Sequence, residues 1–219
     1  MLTIIDASHY QKTIDFHRLK AAGIPALIHK ATEGRTMRDA LFTPRRVLAK
    51  QAGLLYGAYH FGTNGNVDEQ VENFLAVWQP GDLPVLDVEL SGKDGSTSMR
   101  LDQAEYWVRA VEAHTRRVPM VYGGGNYLRD VLNPPASSPL ARCPLWWAQY
   151  TAKPPTRLPA PWQWWSLWQY TDGNAGGDPR STDGIGACDH SVFAGSESDL
   201  RVLWGEPRVM RAPLPLNKP

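Results

Sequence analysis

Asp87 and Glu89 close the run Leu83-Pro84-Val85-Leu86-Asp87-Val88-Glu89, and their types and spacing carry the most chemistry in the chain. The apolar residues before them have the length and Val/Leu content of a buried strand. Alternate strand residues share a face, so both carboxylates are predicted to point the same way. Their backbones should lie about 6.6 Å apart at ~3.3 Å per residue. Two buried like charges repel and burial disfavours ionisation, so one carboxyl should keep its proton well above the usual range. An acid beside a carboxylate is the equipment for cleaving a glycosidic bond. The separation falls between the retaining and inverting ranges and does not choose between them. On its own, an Asp-x-Glu is more often a strand end meeting solvent. The rest of the chain gives it weight.

The elements that must position the pair follow a repeating pattern. Strands are predicted at Leu2–Asp6, Pro25–Ala31, Leu54–Phe61, Pro84–Glu89 and Val118–Tyr122. Helices are predicted at Ile14–Ala22, Pro44–Gln51 and Asp68–Trp78, and around Ala104, Trp107, Val108 and Val111, spaced i, i+3, i+4, i+7. Asp102 with Glu105 reads as a capping box for the last of these. Alternating strands and helices imply parallel strands. Beyond Asn133, prolines 134, 135, 139, 144, 154, 155, 159 and 161 exclude long helices, yet strands are predicted at Leu145–Tyr150, Ser166–Tyr170 and Ile185–Phe193. The expected fold is α/β, a TIM-like barrel of eight strands and about five helices, (β/α)5(β)3, with its site at the strands' C-terminal ends. Asp6, Glu33, Tyr59, Asp87, Glu89, Tyr122, Gln149, Gln169 and Asp189 lie at or near such ends. Residues 1–205 should form the barrel, and the proline-rich 206–219 an extended arm or linker remnant.

Composition narrows the function. Net charge is +1 with scattered Lys and Arg, which argues against nucleic acid or an anionic membrane as partner. No apolar run approaches the ~20 residues of a membrane span. The N-terminus has neither a charged region nor an apolar core of a secretory leader, so none is expected. Cys143 and Cys188 could form one bridge or stay free, and the sequence does not decide. Of nine tryptophans, Trp146, Trp147, Trp162, Trp164, Trp165 and Trp168 cluster in one stretch. Flat indole faces suit sugar rings, but most of these should be packing, with one or two left to stack.

Ile4-Ile5-Asp6-Ala7-Ser8-His9-Tyr10-Gln11 resembles the opening motif of family-25 glycoside hydrolases, the Chalaropsis-type lysozymes. Similar in order are Ile28 to Gly34, Tyr56 to Phe61, Pro84 to Glu89, Leu145 to Tyr150, Leu167 to Thr171 and Cys188 to Phe193. Together they span roughly residues 3–195. The resemblance implies a barrel of eight strands and five helices that cuts the β-1,4 bond after N-acetylmuramic acid in bacterial peptidoglycan. It implies that Glu89 is the general acid/base. Asp87 would assist the oxocarbenium-like state, directly or by orienting the substrate's acetamido group. Asp6 and Asp189 would be further site acids, with Tyr59, Tyr122 and Trp147 near the sugar. It favours a retaining reaction, and the six histidines, without an H-E-x-x-H, lead to the expectation of no catalytic metal and no cofactor. Gln149 and Gln169 are expected to bind substrate, and Glu33 either joins the site or pairs with Lys30. His190 and the Gly/Ser-rich 91–99 loop depart from the family pattern.

The chain is expected to act as a monomer on cell walls outside the producing cytoplasm, as a phage endolysin or a protein exported without a leader. The competing reading is a glycan-binding module that keeps the barrel without catalysis. Four clustered acids favour the enzyme, because binding alone does not require them. A Cys188–His190 nucleophile is disfavoured, since both should face away from Asp189. Gly123-Gly124-Gly125 lacks the lysine of a phosphate loop and reads as a strand-to-helix turn.

Overall fold

The computed structural model describes residues 1–207. Eight strands form a closed barrel: β1 (Leu2–Ala7), β2 (Ala26–Glu33), β3 (Leu55–Phe61), β4 (Leu83–Asp87), β5 (Met120–Gly124), β6 (Leu145–Ala148), β7 (Leu167–Thr171) and β8 (Asp189–Phe193). Neighbours from β1 to β7 are parallel. β8 runs antiparallel to both β7 and β1 and closes the ring. The predicted TIM-like barrel is therefore present, with its last strand reversed.

Strict alternation builds two cores. Ile4, Ala26, Ile28, Val85, Met120, Trp146 and Leu167 fill the barrel. Their neighbours Ile5, Leu27, Leu86, Val121, Trp147 and Trp168 face outward into a second core. Four helices supply much of its other side: α1 (Phe16–Ala21), α2 (Phe42–Gln51), α3 (Val67–Leu75) and α4 (Leu101–Thr115). Phe74 of α3 and Trp107 of α4 pack with ring centroids 5.0 Å apart, and His60 of β3 stacks on Trp107. Space inside the barrel is short: a Cβ at Gly57 would meet Ile28 at 3.0 Å.

Several boundaries differ from expectation. α4 starts at Leu101, and Gln103 accepts from the Arg100 backbone N–H at 3.0 Å. Asp102 thus sits in the first turn beside Arg100 and does not cap it. The strand predicted over Ile185–Phe193 is interrupted by Gly186, whose φ of +82° is not extended. Gly186–Ala187 instead pairs with Ser181–Thr182 in a separate ribbon. After β5 comes a π-helical stretch, Gly125–Leu132. A fifth α-helix, α5 (Glu197–Leu203), was not predicted, although Ser196 and Asp199 form a capping box at its start. Trp204 after α5 joins the inner core and donates to the Tyr56 carbonyl at 2.9 Å. Of the expected arm 206–219, residues 208–219 lie outside the described residues. Cys143 and Cys188 are free and buried.

Candidate active site

Residues in the inward phase at the strands' C-terminal ends continue the inner core into a polar mouth. Asp6 follows Ile4 on β1, Asp87 follows Val85 on β4, Tyr122 follows Met120 on β5, and Gln169 follows Leu167 on β7. Asp189 opens the reversed β8 and stands directly opposite Asp6. Together with Tyr59, Glu89, Trp146 and Tyr150 they line a cavity of about 230 Å³, rimmed by Ser8, Tyr10 and Gln11.

Glu89 lies beyond the end of β4, but its path is fixed. The Val88 N–H donates to the Tyr122 carbonyl at 3.0 Å, which extends the ladder past Asp87. A Cβ on Gly123 would stand 2.9 Å from the Val88 carbonyl. Gly123, read from sequence as part of a turn, is thus the residue that lets the Val88–Glu89 backbone approach β5.

The charge of Lys30 only partly offsets the burial of Asp87 and Glu89. Burial pushes Asp87 well above the carboxylate range, and neighbouring Glu89 pushes it further. Burial also raises Glu89, with Asp189 adding to the rise while a hydrogen bond with Tyr122 and the charge of Lys30 oppose it. Burial and the charge of Asp189 raise Asp6, and burial lifts Asp189 to about 6. Burial and the surrounding carboxylates hold the Tyr59 and Tyr122 phenols protonated. Asp87 Oδ1 is buried and has no hydrogen-bond partner among the described residues. Such a cluster holds its protons more tightly than free carboxyls do, as general acid–base chemistry requires.

The mouth gathers most of the expected residues; Trp147, Gln149 and Glu33 are the exceptions. Trp147 is turned into the outer core, where its Nε1 donates to Gln149 Oε1 at 3.2 Å. Trp146 and Tyr150 line the cavity in place of Trp147 and Gln149. The inward phase of β6 is 146, 148, 150, one residue out of step with the expected Trp147 and Gln149. Glu33 is the partner of Lys30, at 2.5 Å, and does not line the cavity. Gln169 is at the mouth, but hydrogen bonds to protein occupy its amide. His9, beside Asp6 in the opening motif, is bound to Asp39. Cys188 and His190 are both buried, and burial pushes the Cys188 thiol up to about 12, unlike an activated nucleophile.

The sequence matches glycosyl hydrolases family 25 over residues 5–178. It is 31% identical to YegX of Escherichia coli O157:H7 over 91% of this chain and 72% of that protein. It is 29% identical to Lysozyme M1 of Streptomyces globisporus over 91% of this chain and 70% of that protein. The fold superposes on a family GH25 lysozyme from Aspergillus fumigatus with a TM-score of 0.78 and 28% identity, covering 92% of this chain and 98% of that one. The chain therefore belongs to glycosyl hydrolase family 25, and it is a glycoside hydrolase.

Proposed function

We propose that the protein is a muramidase that hydrolyses the β-1,4 bond between N-acetylmuramic acid and N-acetylglucosamine in bacterial peptidoglycan. The observation that carries this reading is the buried Asp87–Glu89 pair, raised together at the bottom of an acid-lined mouth. The names of the Streptomyces and Aspergillus relatives agree with it.

Glu89 gives its proton to the glycosidic oxygen as the C1–O bond breaks, and its carboxylate then takes a proton from the incoming water. Asp87 supports the positive charge that develops at C1. Its unpartnered Oδ1 is suited to accept from the N–H of a 2-acetamido group. That hydrogen bond favours ionised Asp87 and leaves the shared proton on Glu89. An acetamido group held in this way can close on C1, so the reaction proceeds with retention. Asp6 and Asp189 add negative potential around the cationic transition state. Tyr59, Tyr122 and Trp146 shape the wall against the sugar. The catalytic unit is the barrel of residues 1–205, acting as a monomer on wall material outside the cytoplasm, as an endolysin or other lytic enzyme would.

Loss of turbidity from a cell-wall suspension tests the activity. Borohydride reduction of the products identifies the bond: reduced muramic acid is expected. Reduced glucosamine would make the protein a glucosaminidase, and no new reducing end would leave a binding module.

A further inference from the structure

Gln169 uses every hydrogen-bonding site of its amide on the protein. Its Nε2 donates to Asp6 Oδ2 at 3.0 Å and to Asp189 Oδ1 at 3.5 Å. Its Oε1 accepts from the Tyr122 hydroxyl at 2.7 Å and the Tyr150 hydroxyl at 3.1 Å. A primary amide offers two donors and two lone pairs, so nothing remains for a sugar. Flipping the amide would set its oxygen against two carboxylates, so its orientation is determined.

We infer that Gln169 is a positioning residue that fastens the opposed acids Asp6 and Asp189 to the two phenols Tyr122 and Tyr150. This role rests on the muramidase reading above. Tyr122 gives its one hydroxyl proton to Gln169 Oε1 and Tyr150 donates to the same oxygen, so both phenols are tied to the amide that holds the two acids. The same amide donates to Asp6 and so draws its pKa down against burial. The charged and titratable groups facing this hub are Asp6 of β1, Lys30 of β2, Tyr59 of β3, Asp87 and Glu89 at the end of β4, Tyr122 of β5, Tyr150 after β6 and Asp189 of β8.

The test is Gln169→Leu in the full chain, read by carboxyl carbon NMR titration and by kcat and KM on purified cell walls. Without its donor, the Asp6–Asp189 pair should titrate about one to two pH units higher. The acid limb of the activity profile should move, and kcat should fall about tenfold or more with KM within about twofold. If Leu prevents folding, Gln169→Glu keeps the shape, removes the donor and adds charge, so the midpoint should rise further. Tyr150→Phe should leave the Asp6–Asp189 midpoint in place while lowering kcat. An unchanged carboxyl titration in a folded Gln169 variant overturns the inference. A rise in KM alone also overturns it and makes Gln169 a sugar ligand. Should the unmodified chain release no muramic acid ends, the muramidase reading fails, while the titration still decides the role of Gln169.

Discussion

Asp39 and Asp87 are buried to nearly the same degree, 5% and 6% exposed, yet their acidities move in opposite directions. Burial pushes both up. At Asp39 the backbone N–H groups of Leu41 and His9 and the His9 ring, at 2.8 to 3.0 Å, more than reverse the push, and Asp39 ends below the ordinary carboxylate. At Asp87 the strongest neighbour is another acid, and one oxygen has no partner. Asp39 fastens the loop after β1 and stabilises the fold. Asp87 and its neighbours are held where ionisation costs stability, as in sites that trade stability for chemistry. Asp87 also lies deeper in the protein than Asp39, so depth and partners together separate the two acids.

Glu89→Gln is the strongest attempt to break this contrast. It keeps shape and hydrogen bonding and removes the transferable proton, so turnover on cell walls should fall ~10²–10⁴-fold while circular dichroism and glycan binding persist. Near-normal turnover in a folded variant would move the chemistry away from the pair. Asp87→Asn comes next, with an expected loss on the order of 10–10²-fold in kcat, since the neutral amide cannot support charge at C1.

Asp189→Asn tests both halves of the contrast at once. Glu89 must be protonated to act, so activity falls as pH rises through its pKa. Asp189 raises that pKa, so its removal should shift the alkaline limb to lower pH. The folded state also holds the Asp189 proton up to about 6, against an ordinary value of 3.8. Between those values the folded chain binds more protons than the unfolded one, so stability is lost as pH rises through that window. The variant should therefore gain about 2 kcal/mol in urea unfolding at pH 7.5, after discounting for partial exposure, and nothing at pH 3.

Asp39→Asn should do the reverse. It should lose about 1–2 kcal/mol at pH 7, where the depressed carboxylate is fully ionised, and the loss should vanish as pH falls through its folded pKa. Equal effects of the two substitutions on unfolding would erase the distinction. The smallest effect is expected at Tyr10, 77% exposed at the rim and tilted against the His9 ring with centroids 4.2 Å apart. Tyr10→Ala should raise KM about three- to tenfold, a stacking contact being worth ~1 kcal/mol, and leave the melting temperature alone.

Much of this was legible before any coordinates. Apolar runs ending in Asp or Tyr announced the strands, and prolines after Asn133 announced the loss of helices. Asp87 and Glu89 stand out as paired carboxylates closing an apolar run, but a strand end meeting solvent explains such a pair as readily, and it is the resemblance to family-25 glycoside hydrolases that gives them, Asp6 and Asp189 their expected roles. What stayed hidden depends on phase and distant pairing. Two adjacent tryptophans offer no signal as to which faces inward, so Trp147 was chosen where Trp146 lines the mouth. Lys30 and Glu33 could be paired or separate, and a shift of register between Lys30 and Thr32 decided it. Gln169 was seen as a polar strand end, but its four partners come from four separate strands or strand ends.

The reversed β8 sets a schedule. It brings Asp189 against Asp6 and bonds to both β7 and β1, so the first strand made gains its second neighbour only when β8 arrives. A ribosome-bound chain that has reached β7 carries Asp6, Asp87 and Glu89 but has neither a closed mouth nor its fourth acid. Pairing between strands so far apart in sequence is slow to nucleate, because the loop entropy must be met first. On the muramidase reading proposed above, activity in a growing chain emerges in one late step, when β8 closes the mouth.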